Sequence, residues 1–268
     1  MNVLITGGAS GIGLAVVNYL SEQGINVYAC DITEKSFDNP LVKFYRVDVA
    51  DKNSVEKLYC ELKEQNIELD AIINVAGVFL IDSFIELSEE KLKWLFDVNF
   101  FGTLCINKVL YPLLKSSGRI IITTSEVACL DQMPFNGIYG VSKAALDSYS
   151  QALRQELNVL GQKVITIRPG AFNTALSNGA LVKTKELSEK TTLYKVQSVR
   201  FYWLVKMFMG SPKPPQKIAK CYYKALVKKR PKLIYKKNSN PLLILMSLLP
   251  KRLQCFIVKT MFNKKKNR

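Results

Sequence analysis

The sequence predicts an α/β protein: a doubly wound parallel sheet, Rossmann-like, in a single domain with a helical C-terminal extension. Three observations carry that expectation. Short apolar runs alternate with helical patterns from the first residue onward. The runs are almost continuously apolar, as in Ile120-Ile121-Ile122, which suits strands buried on both faces of a parallel sheet. A glycine-rich turn joins the first run to the first helical pattern. With 268 residues, 48% of them apolar, the chain can bury one sizeable core.

In chain order, residues 2–6 form the first β-branched-rich run and lead into the glycine turn. Strands are expected at 26–30, 42–47, 71–74, 119–124 and 163–168, each bounded by Gly, Asp, Asn or Pro. Between them, apolar residues three and four apart predict helices over 11–23, 53–65, 89–115 and 139–160. After Pro169-Gly170 the regularity stops. Residues 171–215 show no clear strand and end in Gly210-Ser211-Pro212-Lys213-Pro214-Pro215. A helix over 216–229, a short strand over 232–235 and a last apolar helix over 242–262 follow. The organisation read from this is a regular α/β core (1–175), a segment that holds the last core elements (176–235) and a basic, apolar extension (236–268).

Composition excludes several chemistries. Histidine is absent, so neither a Ser-His-Asp nor a Cys-His nucleophile system can be built, and no metal site based on imidazole is expected. The six cysteines (30, 60, 105, 129, 221 and 255) form no C-x-x-C pair and read as reduced thiols of a cytoplasmic protein. Met1-Asn2-Val3-Leu4-Ile5 runs straight into the glycine turn and reads as a strand, not a secretion signal. Net charge is +16, but residues 1–182 hold 15 Lys/Arg against 20 Asp/Glu, whereas residues 183–268 hold 23 against 2. The basic character belongs to the C-terminal third alone.

The turn itself is Thr6-Gly7-Gly8-Ala9-Ser10-Gly11-Ile12-Gly13. Small residues there let backbone approach a pyrophosphate, and a helix N-terminus offers N–H donors and a positive dipole end. Asp31 follows the second strand, 18 residues after Gly13. A carboxylate there can accept hydrogen bonds from the adenosine ribose and would repel a 2′-phosphate, which favours NAD(H) over NADP(H). The alternative is a turn or capping aspartate ahead of Thr33 and Glu34.

Tyr139 and Lys143 are four apart and share a face if helical. A phenol with a pKa of about 10 is a poor base at neutral pH, and an adjacent ammonium would favour its phenolate. Tyr139 could then act as general acid/base. The competing reading is a core tyrosine beside a solvated lysine.

These residues and their order resemble the short-chain dehydrogenase/reductase family. The turn has the spacing T-G-x-x-x-G-x-G, followed by Asp48-Val49, Asn74-Val75-Ala76-Gly77, Asn99, Ser125, Tyr139-Gly140-Val141-Ser142-Lys143, and Pro169-Gly170 with Thr174. The resemblance covers about residues 1–175. It implies a catalytic set of Asn99, Ser125, Tyr139 and Lys143, with Ser125 polarising the carbonyl or alcohol, Lys143 also holding the nicotinamide ribose and Asn99 completing a proton relay through water. It further implies cofactor contacts from Thr6, Gly7, Ser10, Gly11, Ile12, Gly13, Asp31, Asp48, Val49, Asn74, Ala76, Gly77, Pro169, Gly170 and Thr174. Asp48 reads equally well as a strand-end turn residue. The sequence departs from the family pattern at Val75, where a second Asn is usual, and in the 14-residue spacing from Ser125 to Tyr139, one longer than is common. Glu126 replaces a small residue and reads either as a substrate contact or as a solvated loop carboxylate.

In the resembled family the stretch after Pro-Gly covers the substrate. Here it carries Leu181, Leu187, Leu193, Tyr194, Phe201, Tyr202, Trp203, Leu204, Met207, Phe208 and Met209. That suits either a greasy pocket for a hydroxysteroid or lipid-like alcohol or ketone, or simple packing on the core. Residues 242–262 are too short and interrupted to span a bilayer but fit an interfacial helix on an anionic membrane, with a subunit interface as the competing reading. No nucleic-acid motif accompanies the charge. The expected protein is therefore an NAD(H)-dependent secondary-alcohol oxidoreductase, a cytoplasmic homo-oligomer (dimer or tetramer), peripheral at a membrane through its extension. The alternatives are an NADPH-dependent acyl-chain ketone reductase and a non-catalytic, membrane-associated cofactor-binding scaffold.

Overall fold

Val- and Ile-rich runs, which pack well on a pleated surface, form the strands of one sheet. The computed structural model describes the backbone of residues 1–208 and 212–263, and the side chains of all of these except 175–178 and 208. Met209 of the expected lid and the Lys-rich residues 264–268 lie outside the described residues. Strands β1 (Asn2–Thr6), β2 (Asn26–Asp31), β3 (Val42–Arg46), β4 (Leu69–Asn74), β5 (Leu114–Thr123), β6 (Lys163–Pro169) and β7 (Ile234–Lys237) pair in the order β3-β2-β1-β4-β5-β6-β7. Every pairing is parallel.

Alternation along each strand splits the core into two layers. Val3, Ile5, Ile73, Ile121 and Ile165 face α1 (Gly11–Glu22) and α8 (Gln216–Val227), whose Val16, Leu20, Ile218 and Tyr222 are buried against them. Leu4, Ile72, Ile120, Ile122 and Val164 face α2 (Lys52–Glu64), α4 (Gly102–Leu110) and α5 (Gly137–Val159) through Leu58, Ile106, Leu146 and Leu157. Within the first layer, the Tyr222 hydroxyl meets Thr123 Oγ1 at 2.8 Å, which satisfies two polar groups that would otherwise cost about 1–3 kcal/mol each to bury.

The strand order reverses between β1 and β4, whose C-terminal ends are level because Thr6 pairs with Asn74. In a doubly wound sheet that reversal opens a crevice beyond the strand ends. The glycine turn lies there.

Four expectations are corrected. The pattern over 89–115 is not one helix. It is α3 (Glu89–Phe96), a π-helical turn at Asp97–Phe101, α4 and a 3-10 turn at Tyr111–Leu113 carrying Pro112, after which β5 begins at Leu114, earlier than expected. The region after Pro169-Gly170 is not irregular: it holds α6 (Ala175–Lys190) and α7 (Lys195–Phe208), which pack on each other. The last apolar segment is two helices, α9 (Pro241–Leu248) and α10 (Lys251–Asn263), separated at Pro250, which cannot continue a helical hydrogen-bond ladder. Finally, β7 runs to Lys237, inside the segment expected to lie beyond the sheet.

α6, α7 and α10 share a third apolar cluster with the loops flanking the site: Ile81, Phe135, Ala180, Leu187, Phe201 and Phe262. The loop after β4 is clasped to the α6–α7 turn by Glu86, whose carboxylate accepts from Thr192 N at 2.7 Å, Thr192 Oγ1 at 2.8 Å, Leu193 N at 3.1 Å and the Thr191 hydroxyl. Lys190 Nζ adds an ion pair to Asp82 at 2.8 Å.

Candidate active site

One cleft of about 440 Å³ crosses the C-terminal ends of the strands. Its floor is the glycine turn. Gly7 has φ +71°, a conformation that side chains disfavour, and a Cβ on Gly13 would sit 1.9 Å from the Gly7 carbonyl oxygen. Strand and helix therefore approach each other as only glycine permits, leaving the first N–H groups of α1 facing the cleft. Ser10 precedes α1 and makes no capping bond of its own. The residue is exposed and lines the cleft.

From the sequence-predicted set, Gly7, Ser10, Gly11, Ile12, Gly13, Asp31, Asp48, Val49, Ala76, Gly77, Ser125, Tyr139, Lys143, Pro169, Gly170 and Thr174 all line this cleft. The cradle thus fits a dinucleotide, with the α1 N-terminus placed for a pyrophosphate and Asp31 for a ribose. Asp31 is held in place by Ala9 N at 3.0 Å and Thr33 N at 3.1 Å, each donating to one carboxylate oxygen. Asp48 accepts from Ala50 N at 2.9 Å, the geometry of a strand-end turn, while still lining the cleft.

Three residues of that set are placed elsewhere or otherwise occupied. Thr6 does not line the cleft; its hydroxyl accepts from Val75 N and Ala76 N, both at 3.2 Å, and so shapes the end of β4. Asn74 points to the opposite layer, because side chains alternate along a strand, and donates to Asn107 Oδ1 at 2.8 Å. Asn99 is fully buried and its side chain is committed: Oδ1 accepts from Val78 N at 2.7 Å, and Nδ2 donates to Val78 O at 2.9 Å and Ser142 Oγ at 3.1 Å. Its side chain holds the Gly77-Val78 loop. The π-helical turn that carries it widens the helix at this point, a distortion frequent at functional sites.

Ser125, Tyr139 and Lys143 do come together. Ser125 opens a 3-10 turn at Glu126–Cys129, where its hydroxyl accepts from Val127 N at 3.3 Å, and it lines the cleft together with Tyr139. Phe79 meets the Tyr139 ring edge-on with centroids 4.8 Å apart. Lys143, one helical turn further along α5, is 4% exposed, and its Nζ lies 3.5 Å from the Thr123 carbonyl oxygen and 6.0 Å from the Tyr139 ring centroid. A Cβ on Gly77 would approach that Nζ to 3.2 Å, so the glycine leaves the room the amine occupies.

The electrostatics correct the expected activation of Tyr139. Burial pushes its phenol up to about 12, with the Ser125 hydrogen bond pulling down and the Glu126 charge adding to the rise. Burial also brings the Lys143 ammonium down to about 8. Burial disfavours the charged phenolate, and that effect is the largest on Tyr139. The Tyr139 phenol therefore stays protonated at neutral pH.

Glu126 does not line the cleft and is half-buried instead of fully solvated. Burial raises its pKa, and its Oε2 accepts from Asn240 N at 2.5 Å, at the start of α9. Asp131 in the same loop bonds Gln254 Nε2 at 2.7 Å and pairs with Lys251. Sequence reasoning missed these links, and it missed Phe79, Trp94, Val98 and Phe172 as cleft or site neighbours. Only Ser142, immediately before Lys143, carried a signal: its neighbour on the helix was already marked.

A parallel, doubly wound sheet with a glycine turn at its reversal point and Ser, Tyr and Lys at the strand ends defines a dinucleotide-dependent oxidoreductase. The chain belongs to the short chain dehydrogenase family, whose sequence model matches residues 1–184. It is 30% identical over 210 residues to 3-amino-tetrahydro-pyrrolizinone reductase of Xenorhabdus hominickii, covering 75% of this chain and 73% of that protein. It is 29% identical over 231 residues to 3-ketodihydrosphingosine reductase of Bacteroides thetaiotaomicron, covering 85% and 84%. A short-chain dehydrogenase structure from Streptomyces avermitilis shares the fold with a TM-score of 0.77 at 23% identity, over 97% of this chain and 94% of that one.

Proposed function

We propose that this protein moves a hydride between NAD(H) and a secondary alcohol or ketone whose body is bulky and hydrophobic. The observation that carries the proposal is that Ser125, Tyr139 and the buried Lys143, one helical turn from Tyr139, line the same cleft, which is floored by glycine. A bound nicotinamide would supply or accept the hydride. Ser125 then holds and polarises the substrate oxygen, and Tyr139 gives the proton to that oxygen on reduction or takes it on oxidation. Lys143 holds the nicotinamide ribose. Asn99 positions the Gly77-Val78 loop beside that amine.

The preference for NAD(H) rests on Asp31, whose carboxylate is fixed at the end of β2 where a 2′-phosphate would meet its charge. A hydrophobic substrate is supported by Phe79 against Tyr139 and by the apolar cluster of α6, α7 and α10 next to it. Two relatives are named as reductases, one for 3-ketodihydrosphingosine. On this reading the protein is a cytoplasmic homo-oligomer that takes small hydrophobic molecules and no nucleic acid.

The test is a panel of steroid, retinoid and acyl-chain alcohols and ketones, each with NAD(H) and NADP(H), followed at the nicotinamide absorbance. Turnover with NAD(H) and a bulky hydrophobic member is expected. Turnover with NADP(H) alone would overturn the role given to Asp31, and turnover confined to small polar alcohols would overturn the substrate class.

A further inference from the structure

α9 is an apolar helix with no core to enter. Leu242, Leu243, Ile244, Leu245, Met246 and Leu248 fill most of its length, yet none of its residues is buried, and Leu245 and Leu248 are 57% and 75% exposed. Water is a poor environment for such a surface. α10 continues it. Its inner side is anchored by Phe262, buried against Phe135 and Phe201. On its outer side, Arg252, Phe256 and Lys259 follow at spacings of four and three, so they share one face, and all three are exposed. Leu253 is also exposed.

The fold therefore sets the orientation of α10 and leaves an apolar and basic side facing outward. Residues 183–268, which include this side, carry 23 Lys/Arg against 2 Asp/Glu. We propose that α9 and the outer side of α10 bed onto the surface of an anionic phospholipid bilayer. The leucines and Phe256 enter the boundary between headgroups and acyl chains, while Arg252 and Lys259 meet lipid phosphates.

The mixture of groups selects this occupant. A second copy docked through the same face would bring two strongly basic segments together, since a two-fold interface places identical patches opposite each other. A nucleic acid would offer phosphates and nothing for Leu245, Leu248 or Phe256. The helices lie on the bilayer instead of crossing it. α9 has 8 residues and α10 has 13, with Pro250 between them, whereas a crossing helix needs about 20. Among the described residues no helix is long and apolar enough to cross a membrane.

The surface is also tied to the site. Asn240, at the head of α9, donates to Glu126, and Gln254 and Lys251 of α10 hold Asp131. Lipid contact is therefore made by elements that brace the loop following Ser125. The inference concerns the extension alone and stands or falls independently of the reaction.

The experiment is co-sedimentation of the full chain with vesicles of phosphatidylcholine alone, or with about one-third phosphatidylglycerol, at low and high salt. The wild type is compared with two variants, L245E/L248E/F256E and R252E/K259E, each checked for folding by circular dichroism and thermal melting. The expected result is binding to the anionic vesicles at low salt, weakened by high salt, and at least tenfold weaker in both folded variants. If the triple variant misfolds, Leu248→Glu alone serves, since that side chain is the most exposed of the set. No sedimentation of the wild type with anionic vesicles at low salt overturns the proposal. So does sedimentation unaffected by removing the leucines, which would reduce the effect to charge alone. A concentration-dependent dimer dissolved by Leu248→Glu, without vesicle binding, would assign the face to a second copy.

Discussion

The Glu126 carboxylate accepts a hydrogen bond from the Asn240 backbone at 2.5 Å, which joins the residue beside Ser125 to the first turn of the C-terminal extension. The contact places a partly buried negative charge near Tyr139, where it adds to the rise in the phenol's pKa. Sequence analysis left Glu126 either touching substrate or in water. Instead it couples the catalytic loop to the extension.

Removing that charge should therefore tune the acid/base group. A negative neighbour disfavours the phenolate, so Glu126→Gln lowers the Tyr139 pKa. Alcohol oxidation, which needs Tyr139 to accept a proton, rises with pH through that value. Its pH–rate profile should shift to lower pH in the variant, while the amide oxygen can still accept from Asn240. Measured profiles that superimpose would mean the charge does not reach Tyr139.

On the proposed reading, Asp31 sets the cofactor preference by charge and by hydrogen bonding. Asp31→Ser keeps a small acceptor at the end of β2 and removes the repulsion toward a 2′-phosphate. The ratio of kcat/KM for NADP(H) over NAD(H) should rise by about tenfold or more, equivalent to about 1.4 kcal/mol. A ratio that stays put would show that discrimination lies elsewhere in the cleft.

The Glu86 clasp should report on the α6–α7 turn beside the cleft. Hydrogen bonds from Thr191 first, then from Leu193 and Thr192, hold its carboxyl down at about 2. An unfolded glutamate titrates at about 4.3. Because the folded value is the lower one, the clasp contributes fully above the unfolded value and is lost as pH falls through the folded one. At neutral pH, Glu86→Ala should speed hydrogen exchange at the Thr192 and Leu193 amides and raise KM for substrate more than it lowers kcat. Exchange rates equal to the wild type at those two amides would rule the clasp out as what holds the turn.

Much of the core was legible because its pattern is one-dimensional. Strands such as 120–122 are apolar throughout, the glycine turn has a spacing that backbone approach demands, and Tyr139 and Lys143 needed only helical periodicity to meet. The lid was not legible because its burial inverts polarity. Thr184 and Ser198 are fully buried there, while Val182 and Val199 are 59% and 47% exposed, so α6 and α7 show no clean apolar stripe. The π-helical turn at Asn99 was hidden for another reason: apolar residues on either side keep helical spacing, and nothing local marks the widened turn. The break at Pro250 was readable and should have divided 242–262. The Tyr139 pKa was misjudged because sequence reveals a charged neighbour but not the loss of water around it.

The central claim is that Tyr139 carries the proton while a nicotinamide carries the hydride. It is tested most directly by steady-state turnover of Tyr139→Phe, alongside wild type, with the best substrate found and with cofactor affinity measured in the same preparations. The account predicts a fall in kcat of about 10²- to 10⁴-fold with cofactor binding retained, because only the hydroxyl has been removed. A variant that turns over at the wild-type rate would contradict it.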